Sequence, residues 1–491
     1  MGKTLALAAA LVLSGLSPVA SAAEPPGDEW AVCDRIPEAY PAPPAGAVVV
    51  RPFDGEVRRQ TAMHSSGTTF WLAPGTHTLG DDEFGQVRPK TGNAYLGAPG
   101  AVLDGRGLNR HAFTGDAADV VVRNLTIQHF VAGRDEGVVN HDSADGWVIA
   151  GNTVQNNKGA GLMAGAGQQV LGNCLRDNGQ YGMNASKNGE LTGLVVAGNE
   201  ITGNNTDNWE LQVPGCGCTG GVRFWSVDGA DVRDNWVHAN HGAGLWMDTN
   251  SNDFLVEHNL FEYNEAAALF YETSYNALVR DNVFRGNTVV QGKAFASRGD
   301  MFPVGTVYIS ESGGEPRVPA RFDRIEIVGN TFEDNWSGVT LWENADRFCN
   351  SPANTSTGGC TRLVADSSRC VPPDIAEEPL LGDCRWKTQH VDIHDNRFTV
   401  DPAVFGCERG CARMAVLSGR GTFPEWSPYR GSVVQQAITF EQDNVWHHNT
   451  YVGPWTFTPF EMSRVLGSAA WQASPYRQDE CSAFTLLPTE C

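Results

Sequence analysis

A recurring pair of asparagines predicts an all-β fold, a right-handed parallel β-helix. Two asparagines stand five positions apart at eight places in the 491-residue chain, with a basic spacing of 21 to 26 residues between copies. A period of this size is typical of a solenoid in which each repeat forms one coil. The pairs are Asn152/Asn157, Asn173/Asn178, Asn199/Asn204, Asn235/Asn240, Asn259/Asn264, Asn282/Asn287, Asn330/Asn335 and Asn444/Asn449.

Two further copies are incomplete. Asn396 is followed at the fifth position by Asp401, and Asn124 by His129, which we interpret as the first copy. An apolar residue stands two positions after each first asparagine, so these residues are expected to stack in one interior column. The column runs through Val154, Leu175, Ile201, Val237, Phe261, Phe284, Phe332, Phe398 and Trp446.

The short apolar runs in each repeat favour strands over helices. They contain three to five residues rich in Val, Ile, Leu and Phe, and Gly, Asn and Asp separate them. No amphipathic stretch of helical length lies within a repeat, which argues against helical solenoids and leucine-rich horseshoes. Parallel crossovers favour a right-handed coil. Asparagine tolerates the left-handed backbone of sharp turns, and stacked asparagines can bond amide to amide, so we predict a structural role for them.

Several segments carry a family resemblance. The repeats at 151–157 and 234–240, and the entry segments 70–77 and 97–105, resemble the right-handed parallel β-helix repeat proteins of the pectate-lyase-like superfamily, secreted actinobacterial members in particular. The resemblance covers roughly residues 68–450 and implies the fold alone, because this fold hosts hydrolases, lyases, epimerases and binding proteins. No characterised catalytic branch is matched. Arg324-Ile325, for example, precedes Glu326 where polygalacturonases carry lysine.

The ends of the chain differ from its repeats. Residues 1–22 resemble a secretory signal, with Lys3, an apolar core and a small-residue cleavage site. Residues 23–67 are expected to form a Pro-rich N-terminal cap, and residues 68–452 the β-helix. Residues 453–491 are expected to form a C-terminal cap outside the coils, with helical character over 460–473. Long excursions interrupt the coils near 205–220, 288–304, 344–390 and 402–436.

Twelve cysteines in an exported chain predict disulfides. Local pairs are Cys349/Cys360, Cys370/Cys384, Cys407/Cys411 and Cys481/Cys491, which leaves Cys33, Cys174, Cys216 and Cys218. A zinc site is disfavoured because one residue separates Cys216 from Cys218 and no histidines follow at ligand spacing. A formal net charge of −22 disfavours nucleic acid and anionic membranes as partners. We expect an extracellular monomer with no cofactor. Ca²⁺ stays open as a ligand, because no motif in the sequence decides for or against a site.

A second set of strands aligns into a candidate groove. Strand alternation sends one set of side chains outward on successive coils, and these include large aromatic rings. Such rings stack on the apolar faces of sugars, whereas the alternative is that excursion loops fold over them. Candidate binding residues are Asn184, Lys187, Arg223, Trp225, Trp246, Phe270 and Tyr308.

Two carboxylates occupy this face on adjacent coils. Strand spacing places Asp248 and Glu272 about 5 Å apart, and like charges that close shift one pKa upward. Paired carboxyls are the machinery of glycosidases. Glu311, one position further along its strand, is a third catalytic candidate. The alternative interpretation is a solvated acidic face or a cation site.

Three function classes therefore remain open. The first is a secreted glycoside hydrolase acting on a polysaccharide or oligosaccharide through Asp248 and Glu272. The second is a lyase or epimerase on a uronate-containing polymer, with Arg223 or Lys187 neutralising the carboxylate and Tyr308 as base. The third is a non-catalytic carbohydrate-binding or surface protein. The sugar, the linkage and the stereochemistry are not encoded in any motif.

The first prediction concerns redox state. Mass spectrometry of the unreduced mature protein, alkylated under denaturing conditions, is expected to find few or no free thiols, because the chain passes through an oxidising compartment. Six or more alkylated cysteines would contradict the assignment of that compartment.

Overall fold

A computed structural model describes residues 30–33, 35, 40–187, 189, 191–213, 220–354 and 359–487. The expected signal at residues 1–22 lies outside this range. Residues 23–245 and 246–491 form two compact units. In the described parts of the chain, no helix has the length and apolar character needed to cross a bilayer.

The unit 23–245 consists of short parallel strands. Its elements are β1 (Val48–Val50), α1 (Glu56–Met63), β2 (Thr69–Leu72), β3 (Gly75–His77), β4 (Ala94–Gly97), β5 (Ala101–Asp104), β6 (Val121–Arg123), β7 (Thr126–Gln128), β8 (Gly137–Val139), β9 (Val148–Ala150), β10 (Thr153–Gln155), β11 (Ala160–Met163), β12 (Gln169–Leu171), β13 (Cys174–Arg176), β14 (Met183–Ala185), β15 (Leu191–Ala197), β16 (Glu200–Thr202), α2 (Trp209–Gln212), β17 (Gly220–Trp225), β18 (Val227–Arg233), β19 (Trp236–His238) and the start of β20 (Ala243–Asp248). They form three sheets, in the orders β1-β2-β4-β6-β9-β12-β15-β18, β3-β5-β7-β10-β13-β16-β19 and β8-β11-β14-β17.

The unit 246–491 repeats this plan. Its elements after β20 are β21 (Asn252–Glu257), β22 (Leu260–Glu262), β23 (Leu269–Glu272), β24 (Ala277–Arg280), β25 (Val283–Arg285), α3 (Val289–Ser297), β26 (Val307–Ser310), β27 (Ile325–Val328), β28 (Thr331–Glu333), β29 (Val339–Glu343), the 3₁₀ helices Ser367–Arg369 and Asp374–Ala376, α4 (Leu380–Asp383), β30 (Val391–His394), β31 (Arg397–Thr399), β32 (Arg413–Ser418), α5 (Val433–Phe440), β33 (Val445–His447), β34 (Thr450–Val452), β35 (Thr456–Phe460), α6 (Ser468–Gln472) and β36 (Ala483–Thr485). The sheets are β21-β24-β27-β30-β33, β22-β25-β28-β31-β34-β36 and β20-β23-β26-β29-β32-β35. The predicted all-β parallel β-helix is confirmed.

Buried asparagine ladders join successive coils in each unit. The side-chain amide of Asn152 donates to the side-chain oxygen of Asn173 at 3.0 Å, and the same oxygen accepts the backbone N–H of Asn152 at 3.0 Å. Each ladder amide therefore holds both the side chain and the main chain of the preceding coil. The columns are Asn152-Asn173-Asn199-Asn235 and Asn157-Asn178-Asn204-Asn240 in the first unit, and Asn259-Asn282-Asn330-Asn396-Asn449 and Asn264-Asn287-Asn335 in the second.

The predicted interior column is present in both units. In the first it is aliphatic, with Val154 paired to Leu175, Leu175 to Ile201 and Ile201 to Val237. In the second it is a stack of rings with centroids 4.4–5.2 Å apart. The rings are Phe261, Phe284, Phe332, Phe398 and Tyr451.

Two predicted copies are wrong in register. The backbone N–H groups of Leu125 and Phe130 donate to Asn152 and Asn157, so these apolar residues, and not Asn124 and His129, occupy the first ladder positions. At the other end Asn449 is the first asparagine of its coil, because it follows Asn396 in the ladder.

The end of the interior column changes accordingly. Tyr451 aligns with Phe398, whereas Trp446 aligns with Ile393 in a different sheet. The amide of Asn444 donates to the backbone oxygens of Thr388 and Ile438 instead. The five-residue spacing of Asn444 and Asn449 is therefore not a ladder pair.

The excursions are also more structured than expected. The segment 402–436 contains a full strand of the sheet, β32. The tail after residue 452 was expected to lie outside the coils, yet β35 and β36 extend two sheets, and α6 lies within the expected helical stretch.

Three of the predicted local disulfides are confirmed: Cys349–Cys360, Cys370–Cys384 and Cys407–Cys411. Cys33 pairs with Cys174. Cys481 is exposed, and its expected partner Cys491 lies outside the described residues, as do Cys216 and Cys218.

Phe284 tests the interior column. Its ring is fully buried between Phe261 and Phe332, with centroid distances of 4.9 and 4.7 Å. Phe284→Ala is expected to lower the free energy of unfolding by about 3–5 kcal/mol because it removes a buried ring and leaves a cavity. Chemical denaturation measures this loss. Phe53→Ala, at a ring that is 60% exposed, is the control and should change little. Equal losses for the two variants would contradict the buried stack.

Candidate functional site

Three carboxylates lie at the ends of neighbouring strands in the unit 246–491. Asp248 ends β20, Glu272 ends β23, and β23 and β26 pair so that Glu272 aligns with Ser310. Glu311 comes directly after this position. Because parallel strands end at the same edge of a sheet, the sequence places three acids side by side there.

Glu272 is held at both of its oxygens. Its Oε2 accepts the indole N–H of Trp246 at 3.1 Å, and its Oε1 accepts a hydrogen bond from the Arg347 guanidinium at 2.5 Å. Its side chain retains 15% exposure. The carboxyl is therefore fixed in orientation by these two donors.

Arg347 links two of the acids. It belongs to the excursion between β29 and β30, and its Nη1 also lies 3.5 Å from Oε2 of Glu311. Glu311 accepts further hydrogen bonds from the Ser310 hydroxyl at 2.5 Å and from the backbone N–H of Asn344 at 2.8 Å. With a side-chain exposure of 2%, Glu311 anchors the start of the excursion that carries Arg347.

Burial and charge shift the ionisation of this cluster. Burial raises the pKa of Glu272 above its usual value of 4.5, and the charges of Asp248 and Glu311 raise it further, whereas Arg347 opposes the shift. Burial alone would lower the pKa of Arg347, but Glu272 and Glu311 outweigh this and hold it above its ordinary value. The cluster therefore combines a permanently charged arginine with a carboxyl that retains its proton at unusually high pH.

The aromatic strip is present, but it is less exposed than predicted. The rings of Trp246, Phe270 and Tyr308 stack in series, with centroids 5.7 and 5.0 Å apart. Trp246 is only 6% exposed, so its ring is covered and not open to solvent. Phe302, from the excursion carrying α3, packs edge-on against Tyr308 at 6.0 Å. The excursions fold over this face, and burial raises the pKa of the Tyr308 hydroxyl.

The remaining predicted binding residues lie in the unit 23–245. Asn184 and Arg223 are paired on β14 and β17. The Arg223 guanidinium lies 5.2 Å from the Trp225 ring centroid and 3.8 Å from a carboxylate oxygen of Asp135. Lys187 forms an ion pair with Asp145. Arg223 and Lys187 thus pair with different carboxylates, and Asn184 is fully buried.

A cleft of about 430 Å³ in the unit 23–245 was missed by the sequence reasoning. Glu136 lines it and binds Arg110 through two hydrogen bonds of 2.7 and 2.5 Å. The rings of His111 and His141 stack beside them with centroids 3.9 Å apart. The sequence signal for this cleft was the spacing of about one coil between Arg110-His111 and the segment from Glu136 to His141.

Metal ligation receives no support from cysteine in this structure. Among the described residues, the one grouping of potential ligand atoms is Cys349, Cys360 and Cys370. All three are in disulfides, so no thiolate is available.

Comparisons with known proteins agree with the fold. A family described as "Right handed beta helix region" matches residues 136–301. The chain thus contains a right-handed parallel β-helix, as its sequence predicts. A sequence comparison with curated proteins finds no match.

Three solved structures illustrate the likeness, each at low sequence identity. The A-module of a mannuronan C-5 epimerase from Azotobacter vinelandii is 11% identical, with 70% of this chain and 88% of that chain covered and a TM-score of 0.42. An α-1,3-glucanase catalytic unit from Streptomyces thermodiastaticus strain HF3-3 is 12% identical, with 92% and 69% covered and a TM-score of 0.46. A glucanase catalytic domain in complex with nigerose is 9% identical, with 92% and 67% covered and a TM-score of 0.44. Such distant likenesses assign no activity to this chain.

Arg347→Met tests the charge cluster. Removing the cation leaves Glu272 and Glu311 without their shared partner, so the free energy of unfolding at pH 7 is expected to fall by about 3–5 kcal/mol. The pKa of Glu272 is already raised in the folded state, so ionising it costs stability as pH rises above 4.5, and the variant raises this pKa further. The deficit should therefore shrink below about pH 4.5.

Denaturation curves of the wild type and the variant at pH 4 and pH 7 measure this difference. Arg397→Met, at an exposed position on β31, is the matched control and should be nearly neutral at both pH values. A deficit in Arg347→Met that is independent of pH would show that the side chain acts only by packing.

Proposed function

We propose that this chain is a secreted glycoside hydrolase in which Glu272 is the general acid and Asp248 is the second carboxylate. The observation that supports this most is the raised pKa of Glu272 beside a second acid, Asp248. Glu272 is buried beside Asp248 and Glu311 and has a raised pKa. A carboxyl that keeps its proton beside a second carboxyl group supplies the proton donor of the acid and base pair that glycosidic cleavage requires.

The reaction follows from these roles. Glu272 gives its proton to the glycosidic oxygen as the bond from that oxygen to the anomeric carbon breaks. The Asp248 carboxylate either takes a proton from the attacking water or bonds to the anomeric carbon first, and water then releases that intermediate. In both versions the water supplies the new hydroxyl group and Glu272 recovers its proton by the end of the cycle.

The surrounding residues set the geometry of Glu272. The Trp246 indole N–H and the Arg347 guanidinium each hold one carboxyl oxygen. Glu311 is a positioning residue in this proposal, because it holds Arg347 and the first residues of the excursion. Phe270 is partly exposed, and because Trp246 and Tyr308 stack on its two faces, it offers the edge of its ring to a sugar.

The alternatives receive less support. A lyase needs a base, and burial raises the pKa of Tyr308, which weakens its ability to accept a proton near neutral pH. Lys187, which would neutralise a uronate, is already paired with Asp145. Lyase products absorb in the ultraviolet because they contain an unsaturated sugar, whereas hydrolysis yields only new reducing ends. A non-catalytic binding protein would yield neither product.

Export from the cell completes the proposal. The four disulfides of the described chain and the leader-like residues 1–22 support an oxidising, extracellular setting. The substrate in this setting is a polysaccharide or an oligosaccharide, and the chain acts as a monomer without nucleic acid or membrane partners.

The catalytic prediction uses isosteric variants. A polysaccharide array is first screened with the purified protein for new reducing ends. Asp248→Asn and Glu272→Gln should each lower kcat on the hydrolysed substrate by about 10²–10⁴-fold or more, because each removes a proton-transfer group or a nucleophile. Glu333→Gln on β28 is the matched control and should retain activity.

Circular dichroism and the melting temperature verify that each variant is folded. Near-full activity in both folded acid variants would remove Asp248 and Glu272 from the mechanism. If the wild type released products that absorb in the ultraviolet, the reaction would be elimination and not hydrolysis.

A further inference from the structure

The cleft in the unit 23–245 is built from three successive coils. Its lining comes from segments 84–88, 110–116 and 136–142. Backbone hydrogen bonds of 2.9 Å from Val87 to Ala112 and from Ala112 to Val138 hold these segments side by side. Its volume of about 430 Å³ lies within the range of roughly 300–1,000 Å³ typical of small-molecule sites.

Several polar atoms in this cleft lack a partner. The Thr114 hydroxyl, the Gln86 side-chain oxygen and the His141 Nδ1 are buried without a hydrogen-bond partner in the described chain. Thr114 is only 4% exposed. Leaving such groups unpaired costs free energy, so an unpaired set on one cavity wall points to a polar ligand that completes it.

His111 adds an uncharged ring to this lining. His111 Nδ1 lies 3.1 Å from the backbone oxygen of Gly137, which can only accept, so this nitrogen carries the proton. Burial, together with the neighbouring His141, lowers the pKa of His111 to about 4. The ring is therefore neutral at physiological pH, and its Nε2 is left as an acceptor.

The charges exclude a strongly anionic ligand. Arg110 is neutralised by Glu136, and the remaining Arg88 is outnumbered by the carboxylates of Asp116 and Asp142. The lining thus contains both hydrogen-bond donors and hydrogen-bond acceptors, and it carries no excess of positive charge. Hydroxyl groups both donate and accept, so they match such a lining better than phosphate or sulfate does.

We propose that this cleft is a carbohydrate-binding site, separate from the acid cluster, that takes a short neutral saccharide. Phe84, at the cleft, is 54% exposed and provides a face for the C–H groups of a pyranose ring. The Thr114 hydroxyl and His141 Nδ1 bond sugar hydroxyls. The proposal does not depend on hydrolysis at Glu272.

Isothermal titration calorimetry of the full chain tests this binding. The probes are neutral trisaccharides and tetrasaccharides of glucose, mannose, galactose, xylose and arabinose, with inorganic phosphate as a separate probe. The protein carries Glu272→Gln, so that a sugar is not consumed if the proposed hydrolysis occurs. At least one neutral saccharide is expected to bind.

Two cleft variants locate the site. Thr114→Val and Phe84→Ala should each weaken this binding about tenfold, since each removes one direct contact. Phe53→Ala is the control, because it removes an exposed ring that does not line the cleft. Thr114→Val replaces an unpaired buried hydroxyl by a methyl group of similar size, so the melting temperature should stay equal or rise. Weaker binding without lost stability distinguishes a ligand contact from a structural one.

Three results would overturn the proposal. The first is that no neutral saccharide binds. The second is that saccharide binding is unchanged in both cleft variants. The third is that phosphate is the one probe that binds and that its binding depends on Arg88. None of these three binding results depends on whether Asp248 and Glu272 catalyse hydrolysis. Failure of the proposed function and failure of this inference are therefore distinguishable.

Discussion

The hydrogen bond from one buried asparagine amide to the next is the interaction on which each unit depends. A coil made of three-residue strands has little sheet of its own, so its turns need a fixed register. Asn282 illustrates how this works, because its amide donates to the side chain of Asn330 and to the backbone oxygens of Val256 and Arg280. One side chain thus satisfies buried backbone groups on two coils and sets the spacing for the stacked rings beside it.

The excursions between the regular coils contribute side chains to the candidate site. The strands place Asp248 and Glu272 at the edge of a sheet, and the excursion after β29 adds Arg347 between Glu272 and Glu311. Rigid strands fix the acids, while a loop supplies the group that tunes them. Active sites commonly combine a rigid frame with residues from its loops in this way.

The repeats and the candidate acids were predictable from sequence because both follow the periodicity of the coil. The same periodicity gave a wrong prediction where the spacing was coincidental, as at Asn444. Its amide donates to the backbone oxygens of Thr388 and Ile438 and not to another ladder asparagine. Arg347 could not be predicted because it lies 75 residues from Glu272 in a segment without a repeat. The covering of Tyr308 by Phe302 was equally inaccessible, since no pattern in an irregular excursion specifies which face it packs against.

The pH dependence of kcat/KM, measured on a substrate found with the polysaccharide array, tests the central claim most directly. If Glu272 is the general acid, the alkaline limb reports its ionisation and falls at a pH above the ordinary range of a glutamate, because burial and two neighbouring acids raise its pKa. Glu272→Gln should abolish that limb in whatever activity remains. An unchanged alkaline limb in Glu272→Gln would contradict the assignment of Glu272 as the proton donor.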